Sequence, residues 1–178
     1  MKTNFIQPLK LAKMETVMTA VDVISLYMQL SNLGIKIWLD GGWGVDALLG
    51  KQTRLHEDVD IVIQQKDAPK LRKLLEAHGY KDIEQDDTSA WNFVLGDNKD
   101  HLIDVHVIIF DAEGNGLYGP LENGVMYPAG SLTGGGKING QPVKCISAEH
   151  MVKFHAGYKL KESDYKDVSA LCERFGIK

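Results

Sequence analysis

Val17, Val21, Ile24 and Met28 recur at the three- and four-residue spacing of one helix face, which predicts a first helix over residues 13–32. Gly34 ends it, and the apolar run from Ile35 to Leu39 predicts a short buried strand. Gly41 and Gly42 then turn the chain tightly into a helix over Trp43–Leu49, stopped by Gly50. The unbroken β-branched run Val59–Ile63 predicts a second strand, and Ala68, Leu71, Leu75 and His78 mark another helix, ended by Gly79. Trp91, Phe93 and Leu95 alternate with Asn92 and Val94, and a polar turn over Gly96–Asp100 leads into Leu102–Ile108. In that last strand Asp104 and His106 share one face, while Ile103, Val105 and Val107 share the other.

The glycine-rich segment from Gly114 to Gly136 reads as loops and short edge strands. Asn139-Gly140 has the chemistry of a two-residue hairpin turn, and Pro142 places one arm of that hairpin on an edge. Ser147 is a candidate cap for a helix from Ala148 to Leu160. Ser163 is a candidate cap for a last helix with Val168, Leu171, Cys172 and Phe175 on its buried face, ending at Gly176. The reading is a mixed α/β (α+β) chain. Residues 1–146, with the helical segment 1–34 included, form the main domain, and 147–178 form a short helical pair packed on it.

With 178 residues and 44% hydrophobic content the chain has the size of one domain with a real core. A net charge of −4 argues against a broad basic surface, so no nucleic-acid partner is expected. Cys145 and Cys172 lack any metal-binding spacing and read as two reduced thiols. The first residues hold no apolar run of signal-peptide length, and no stretch reaches membrane-spanning length, so a cytoplasmic location without membrane attachment is expected.

The chemistry concentrates in two places. Gly41 and Gly42, between a strand and a helix start, put backbone N–H groups where a phosphate can sit. Sixteen residues beyond Gly42, Asp58 and Asp60 stand two apart in a strand and so point to the same side. Adjacent carboxylates repel, and a bridging cation relieves that repulsion. If the strand of Asp104 lies beside that of Asp58 and Asp60, three carboxylates meet in an oxygen-rich site suited to magnesium. Two ions about 4 Å apart would activate an attacking oxygen and steady a leaving pyrophosphate. Asp104 could equally take the proton of an incoming hydroxyl. The plain alternative is that Asp58 caps a strand end and Asp60 pairs with Arg54 or a lysine. Arg54 either meets a triphosphate or is a solvated loop charge. His56 either orients a metal ligand or is a polar surface residue. His106 hydrogen-bonds a carboxylate or substrate, or is a satisfied interior histidine. Asp46, near a helix start, is explained by the helix dipole alone. Trp43, Trp91, Tyr158 and Tyr165 stack on a base or sugar or belong to the core, and Trp38 is assigned to packing.

Three blocks, Trp38–Ile61 (WLDGGWGVDALLGKQTRLHEDVDI), Leu102–Ile108 (LIDVHVI) and Phe154–Val168 (FHAGYKLKESDYKDV), resemble the small antibiotic nucleotidyltransferases. The likeness is to the lincosamide nucleotidyltransferases and their aminoglycoside 2″-adenylyltransferase relatives, and it covers most of the chain from Ile35 onward. The resemblance implies a polymerase-β-type nucleotidyltransferase fold, a mixed sheet with flanking helices and a helical C-terminal portion. It implies that Gly41 and Gly42 face the nucleotide phosphates, that Asp58, Asp60 and Asp104 bind magnesium, and that Asp104 is the base or third ligand; Arg54 stays a candidate phosphate contact from its own chemistry. His106, Tyr158 and Trp91 are the candidate substrate contacts. The implied reaction is attack of a drug hydroxyl on the α-phosphorus of ATP or another NTP, releasing pyrophosphate. The Phe154–Val168 block favours a lincosamide acceptor. Residues 1–34 and 111–136 carry no motif that aligns.

Three alternatives compete: the same chemistry on an aminoglycoside or a cellular alcohol, a nucleotidyltransferase acting on a protein or RNA, and a nucleotide-binding module without turnover. Retention of all three aspartates argues against the last. A homodimer is expected where so small a domain needs a second copy to complete its pocket.

Overall fold

A computed structural model describes residues 17–120, 126–155 and 160–178. Among them, nine strands form one open mixed sheet with five helices packed around it. In chain order these are α1 (Ala20–Asn32), β1 (Ile37–Leu39), α2 (Gly41–Leu49), β2 (Asp58–Gln64), α3 (Ala68–Ala77), β3 (Lys81–Ile83), β4 (Asn92–Gly96) and β5 (Leu102–Phe110). Then follow β6 (Gly116–Tyr118), β7 (Met126–Tyr127), β8 (Gly134–Ile138), β9 (Gln141–Cys145), α4 (Ala148–His155) and α5 (Glu162–Phe175).

The sheet runs β3-β4-β5-β2-β1-β9-β8. β2 and β5 are parallel, and β1 and β4 flank them antiparallel. β6 continues where β4 leaves the last residues of β5. One face of the sheet is apolar throughout: Val59, Ile61, Ile63, Ile103, Val105 and Val107 pack there with Val23 and Leu30 of α1 and Leu71 and Leu75 of α3. The other face changes character along its length. Val62 and Ile108 are buried with Trp38, Met151 of α4 and Leu171 of α5. Upstream on that same face stand Asp58, Asp60, Asp104 and His106, none of them buried.

Several expectations are corrected. The first helix starts at Ala20, because Thr19 and Asp22 close a reciprocal cap: Thr19 N donates to Asp22 Oδ2 at 2.9 Å and Asp22 N to Thr19 Oγ1 at 3.3 Å. Its buried stripe is Ala20, Val23, Leu26 and Leu30, whereas Val21 and Met28 face outward. Val17 precedes the cap, so the stripe read through it was rotated away from the sheet. The last helix begins at Glu162, not after Ser163, with Asp164 Oδ2 accepting from Lys161 N at 2.8 Å. Its buried positions are Asp167 and Leu171, while Phe175 is exposed. α4 is followed to His155; the expected stretch to Leu160, including Tyr158, falls on residues 156–159, outside the described ones.

The hairpin is as its turn predicted, with Asn139 and Gly140 both at positive φ, and β8 rather than β9 lies at the edge. β8 lies directly on α2, and a Cβ on Gly136 would run into the carbonyl of Ala47.

Candidate functional site

The parallel pairing of β2 and β5 sets Asp60 directly opposite Asp104 and Val62 opposite His106. Asp60, Asp104 and His106 offer ligand atoms that all lie within 4.8 Å of one another. His106 Nε2 is 3.9 Å from Asp60 Oδ1 and 4.0 Å from Asp104 Oδ1. Asp58 stands one pleat upstream, outside this group, so the expected triad of carboxylates appears as two aspartates and a histidine with the third aspartate beside them.

The charges explain the arrangement. Burial, opposed by His106 and reinforced by Asp60, raises the carboxyl of Asp104. Burial and then the neighbouring Asp60 and Asp104 push that of Asp58 up to about 6. Burial disfavours a charged His106, but its bond to Asp60 and the carboxylates of Asp104 and Asp40 outweigh it and raise the imidazole to about 9. The imidazole thus stands among carboxylates that favour its charged form. Asp104 Oδ1 is buried and has no hydrogen-bond partner. An orphaned carboxylate oxygen beside Asp60 fits a hard divalent cation, to which Asp60 and Asp104 offer oxygen atoms.

These shifts give a signed prediction. The raised carboxyls hold protons in the folded state that the unfolded chain has released, so the metal-free protein loses stability as pH rises from roughly 4 to 6. His106, raised, contributes stability below its ordinary value of 6.5 that is lost as pH climbs toward about 9. Both act in one direction. The rise in Tm on adding magnesium is therefore expected to be larger at about pH 8 than at about pH 5. Calorimetry with magnesium and with a chelator measures it, and an equal rise at both values would remove the carboxylate cluster as the metal's site.

His106 also heads a chain of hydrogen bonds that the sequence did not reveal. Its Nδ1 meets the Tyr118 hydroxyl at 3.3 Å, that hydroxyl donates to Asn92 Oδ1 at 3.0 Å, and Asn92 Nδ2 donates to Asp87 Oδ2 at 2.9 Å. Asn92 is opposite His106 in the β4–β5 ladder. Trp91, the expected substrate contact, instead packs against the apolar core beneath the opposite face. The alternation in β4 contained this assignment, since Asn92 is out of phase with Trp91 and Phe93. Tyr118 lies in the segment without motifs, where no signal marked it.

The other half of the site is the start of α2. Asp40 caps it, accepting from Gly41 N at 2.9 Å and from the Tyr127 hydroxyl at 3.3 Å, and burial raises its carboxyl. Gly41 has φ +52, and a Cβ there would run into the Asp60 carboxylate. The helix start and the acidic pair are thus in direct apposition, which only glycine permits. A Cβ on Gly42 would meet the His56 ring and lie 2.6 Å from Arg54 Nη2.

His56 is not a surface residue: it is 2% exposed, packs against the Trp43 ring at 4.7 Å between centroids, and meets Asp46 Oδ2 through Nε2 at 2.5 Å. Asp46 Oδ1 in turn accepts from Thr53 N at 3.0 Å and Thr53 Oγ1 at 2.6 Å. Asp46 and Trp43 are therefore structural, and Trp43 is withdrawn as a stacking platform. Arg54 reaches neither Asp58 nor Asp60; its Nη2 is 3.3 Å from Asp167 Oδ2 of α5. Gly41, Gly42, Arg54, Asp58, Asp60, Lys161, Asp164 and Asp167 line a polar cleft of about 380 Å³. Asp164 and Asp167 went unnoticed as site residues, although their three-residue spacing, with Leu171 four further on, was a readable signal of one helix face.

A helix start that can hold phosphate, set against paired acidic strands, defines a nucleotidyltransferase. The comparisons with known proteins agree: the model of the aminoglycoside-2″-adenylyltransferase family matches residues 22–171, and the chain belongs to that family. It is 33% identical over 140 residues to a lincosamide resistance protein of Staphylococcus haemolyticus, covering 79% of this chain and 86% of that one. It is 29% identical to a 2″-aminoglycoside nucleotidyltransferase of Escherichia coli, over 66% of this chain and 62% of that one. The crystal structure of the lincosamide antibiotic adenylyltransferase LnuA with lincomycin bound superposes with a TM-score of 0.75 at 30% identity, covering 87% of this chain and 97% of that one. The chain is thus an enzyme of the nucleotidyltransferase class with the corresponding mixed α/β fold. No helix among the described residues is long and apolar enough to cross a membrane.

Proposed function

We propose that the protein transfers AMP from ATP to a hydroxyl of a lincosamide, releasing pyrophosphate. The observation that carries the reading is the register of Asp60 against Asp104 at the foot of the glycine start of α2. Gly42 and Arg54 receive the triphosphate, whose anionic oxygens match a helix N-terminus and a guanidinium. Asp58, Asp60 and Asp104 would hold magnesium, which would supply positive charge to the phosphates. Asp104 accepts the proton of the acceptor hydroxyl: the oxygen–phosphorus bond forms at the α-phosphorus, the bond to the β-phosphate breaks, and pyrophosphate leaves. Burial of Asp104 raises its affinity for that proton. His106, tied to Tyr118 and Asn92, sits beside the acceptor side of the pair. Trp91 takes no part, and Tyr158 is kept as a candidate substrate contact from the sequence. ATP and a small alcohol are the only partners the reaction needs, and the cytoplasm is where it meets both.

The lincosamide is favoured over an aminoglycoside by the higher identity to the staphylococcal relative and the near-complete coverage of LnuA. Incubation with ATP, magnesium and either lincomycin or tobramycin, followed by product mass and pyrophosphate release, tests it. A gain of one AMP on lincomycin alone is expected. A gain on tobramycin alone would reassign the acceptor, and no transfer to either would remove the antibiotic reading.

A further inference from the structure

The C-terminal helix enters the cleft through Asp167. This carboxylate is 5% exposed, and burial and the nearby Asp46 both disfavour its charge, which Arg54 offsets. The Arg54 guanidinium is held at two points, Nη1 donating to the carbonyl of Leu55 at 3.3 Å and Nη2 to Asp167 Oδ2 at 3.3 Å. Its Nε is buried without a partner. The same Nη2 lies against Gly42, so close that a Cβ there would be 2.6 Å away. Asp167 is therefore not a clamp for α5, which Leu171 already anchors in the core. It is a buried acceptor that fixes a loop arginine beside the helix start.

We propose that Asp167 is a positioning residue for the nucleotide: it holds Arg54 at Gly42, so that the guanidinium is in place before a triphosphate arrives. This rests on Arg54 being a phosphate contact. α5 then belongs to the nucleotide site, and a helix distant in sequence sets the affinity for ATP. Preorganisation of this kind acts on binding, since an arginine free to swing must be ordered by the ligand itself.

A double-mutant cycle with steady-state kinetics for ATP, and Tm as a check on folding, tests the inference. Asp167→Asn, nearly isosteric, is expected to raise KM for ATP roughly tenfold with kcat within about threefold, as loss of one charge-assisted hydrogen bond implies. Asp167→Glu, which keeps a carboxylate for Arg54, is expected to recover most of that loss and stands in if the asparagine variant fails to fold. In an Arg54→Ala background, Asp167→Asn is expected to change KM less than about twofold, because its effect passes through Arg54. An equal multiplication of KM in both backgrounds, or an unchanged KM in the native one, would overturn the positioning role. If Arg54→Ala leaves KM for ATP unchanged, the phosphate contact itself falls and the inference with it, which separates the two failures.

Discussion

Replacing Asp60 by alanine is expected to lower nucleotide transfer by on the order of 1000-fold in kcat, about 4 kcal/mol of transition-state stabilisation. The fold should survive and, without metal, gain in Tm. The reason lies in how little else Asp60 does. Its side chain shares the site with Asp104 across the β2–β5 ladder and stands in the space a Cβ on Gly41 would fill. The structural bond at this position, from Asp40 N to the carbonyl of Asp60 at 2.9 Å, belongs to the backbone and remains. Removing the side chain relieves repulsion on Asp58, Asp104 and Asp40, which outweighs the lost support of Asp60 for a charged His106. Pyrophosphate release at saturating ATP gives the rate, and calorimetry in chelator gives the Tm. A variant retaining a tenth or more of the native rate would show that the carboxylate pair is not the seat of the chemistry.

That pair was legible from sequence because strand geometry is local. Alternation alone put Asp58 and Asp60 on one side and Asp104 on one side of its own strand. What alternation could not supply was the register, since a shift of one residue would have opposed Asp60 to a core position. The glycines were legible as a turn but not in their deeper reason, the approach of Asp60, His56 and Arg54 to positions a side chain would occupy. The misreadings share a cause. The Val17–Met28 stripe and the apolar face given to α5 relied on hydrophobic spacing, and the cap at Ser163 on residue type, in helices where other polar groups decided the geometry. Asp22 fixed the start of α1 and Asp164 that of α5, and Asp167 took a buried position beside Leu171 because Arg54, more than a hundred residues away, stands opposite. Tyr118 and Tyr127 entered the site through β6, which pairs with β5, and β7, which pairs with β6, and that pairing is a tertiary fact without a local pattern. His56 read as a loop residue because nothing near it in sequence announces that Asp46 lies behind it.

The Asp46–His56 pair carries the largest stability effect to be expected outside the core. Asp46 is 2% exposed, and its two oxygens accept from the Thr53 backbone, the Thr53 hydroxyl and His56. Alanine there leaves the buried His56 ring and the two donors of the exposed Thr53 without their acceptor, at a cost of about 3 kcal/mol, most of it from the histidine. For a chain of this length that is a fall in Tm on the order of 10 °C. Asparagine keeps the shape and one acceptor oxygen and is expected to lose less than half as much. The consequence reaches the site because the His56 ring lies behind Gly42 and the Thr53 turn leads into Arg54. Loosening it should raise KM for ATP in step with the loss of Tm, while transfer at saturating ATP falls far less than in Asp60→Ala. Thermal melts and ATP titrations on the two Asp46 variants read both quantities. A drop in Tm below about 3 °C for the alanine variant would mean that solvent replaces the lost acceptor, and that the helix start is held by its own cap at Asp40 rather than by the histidine beneath it.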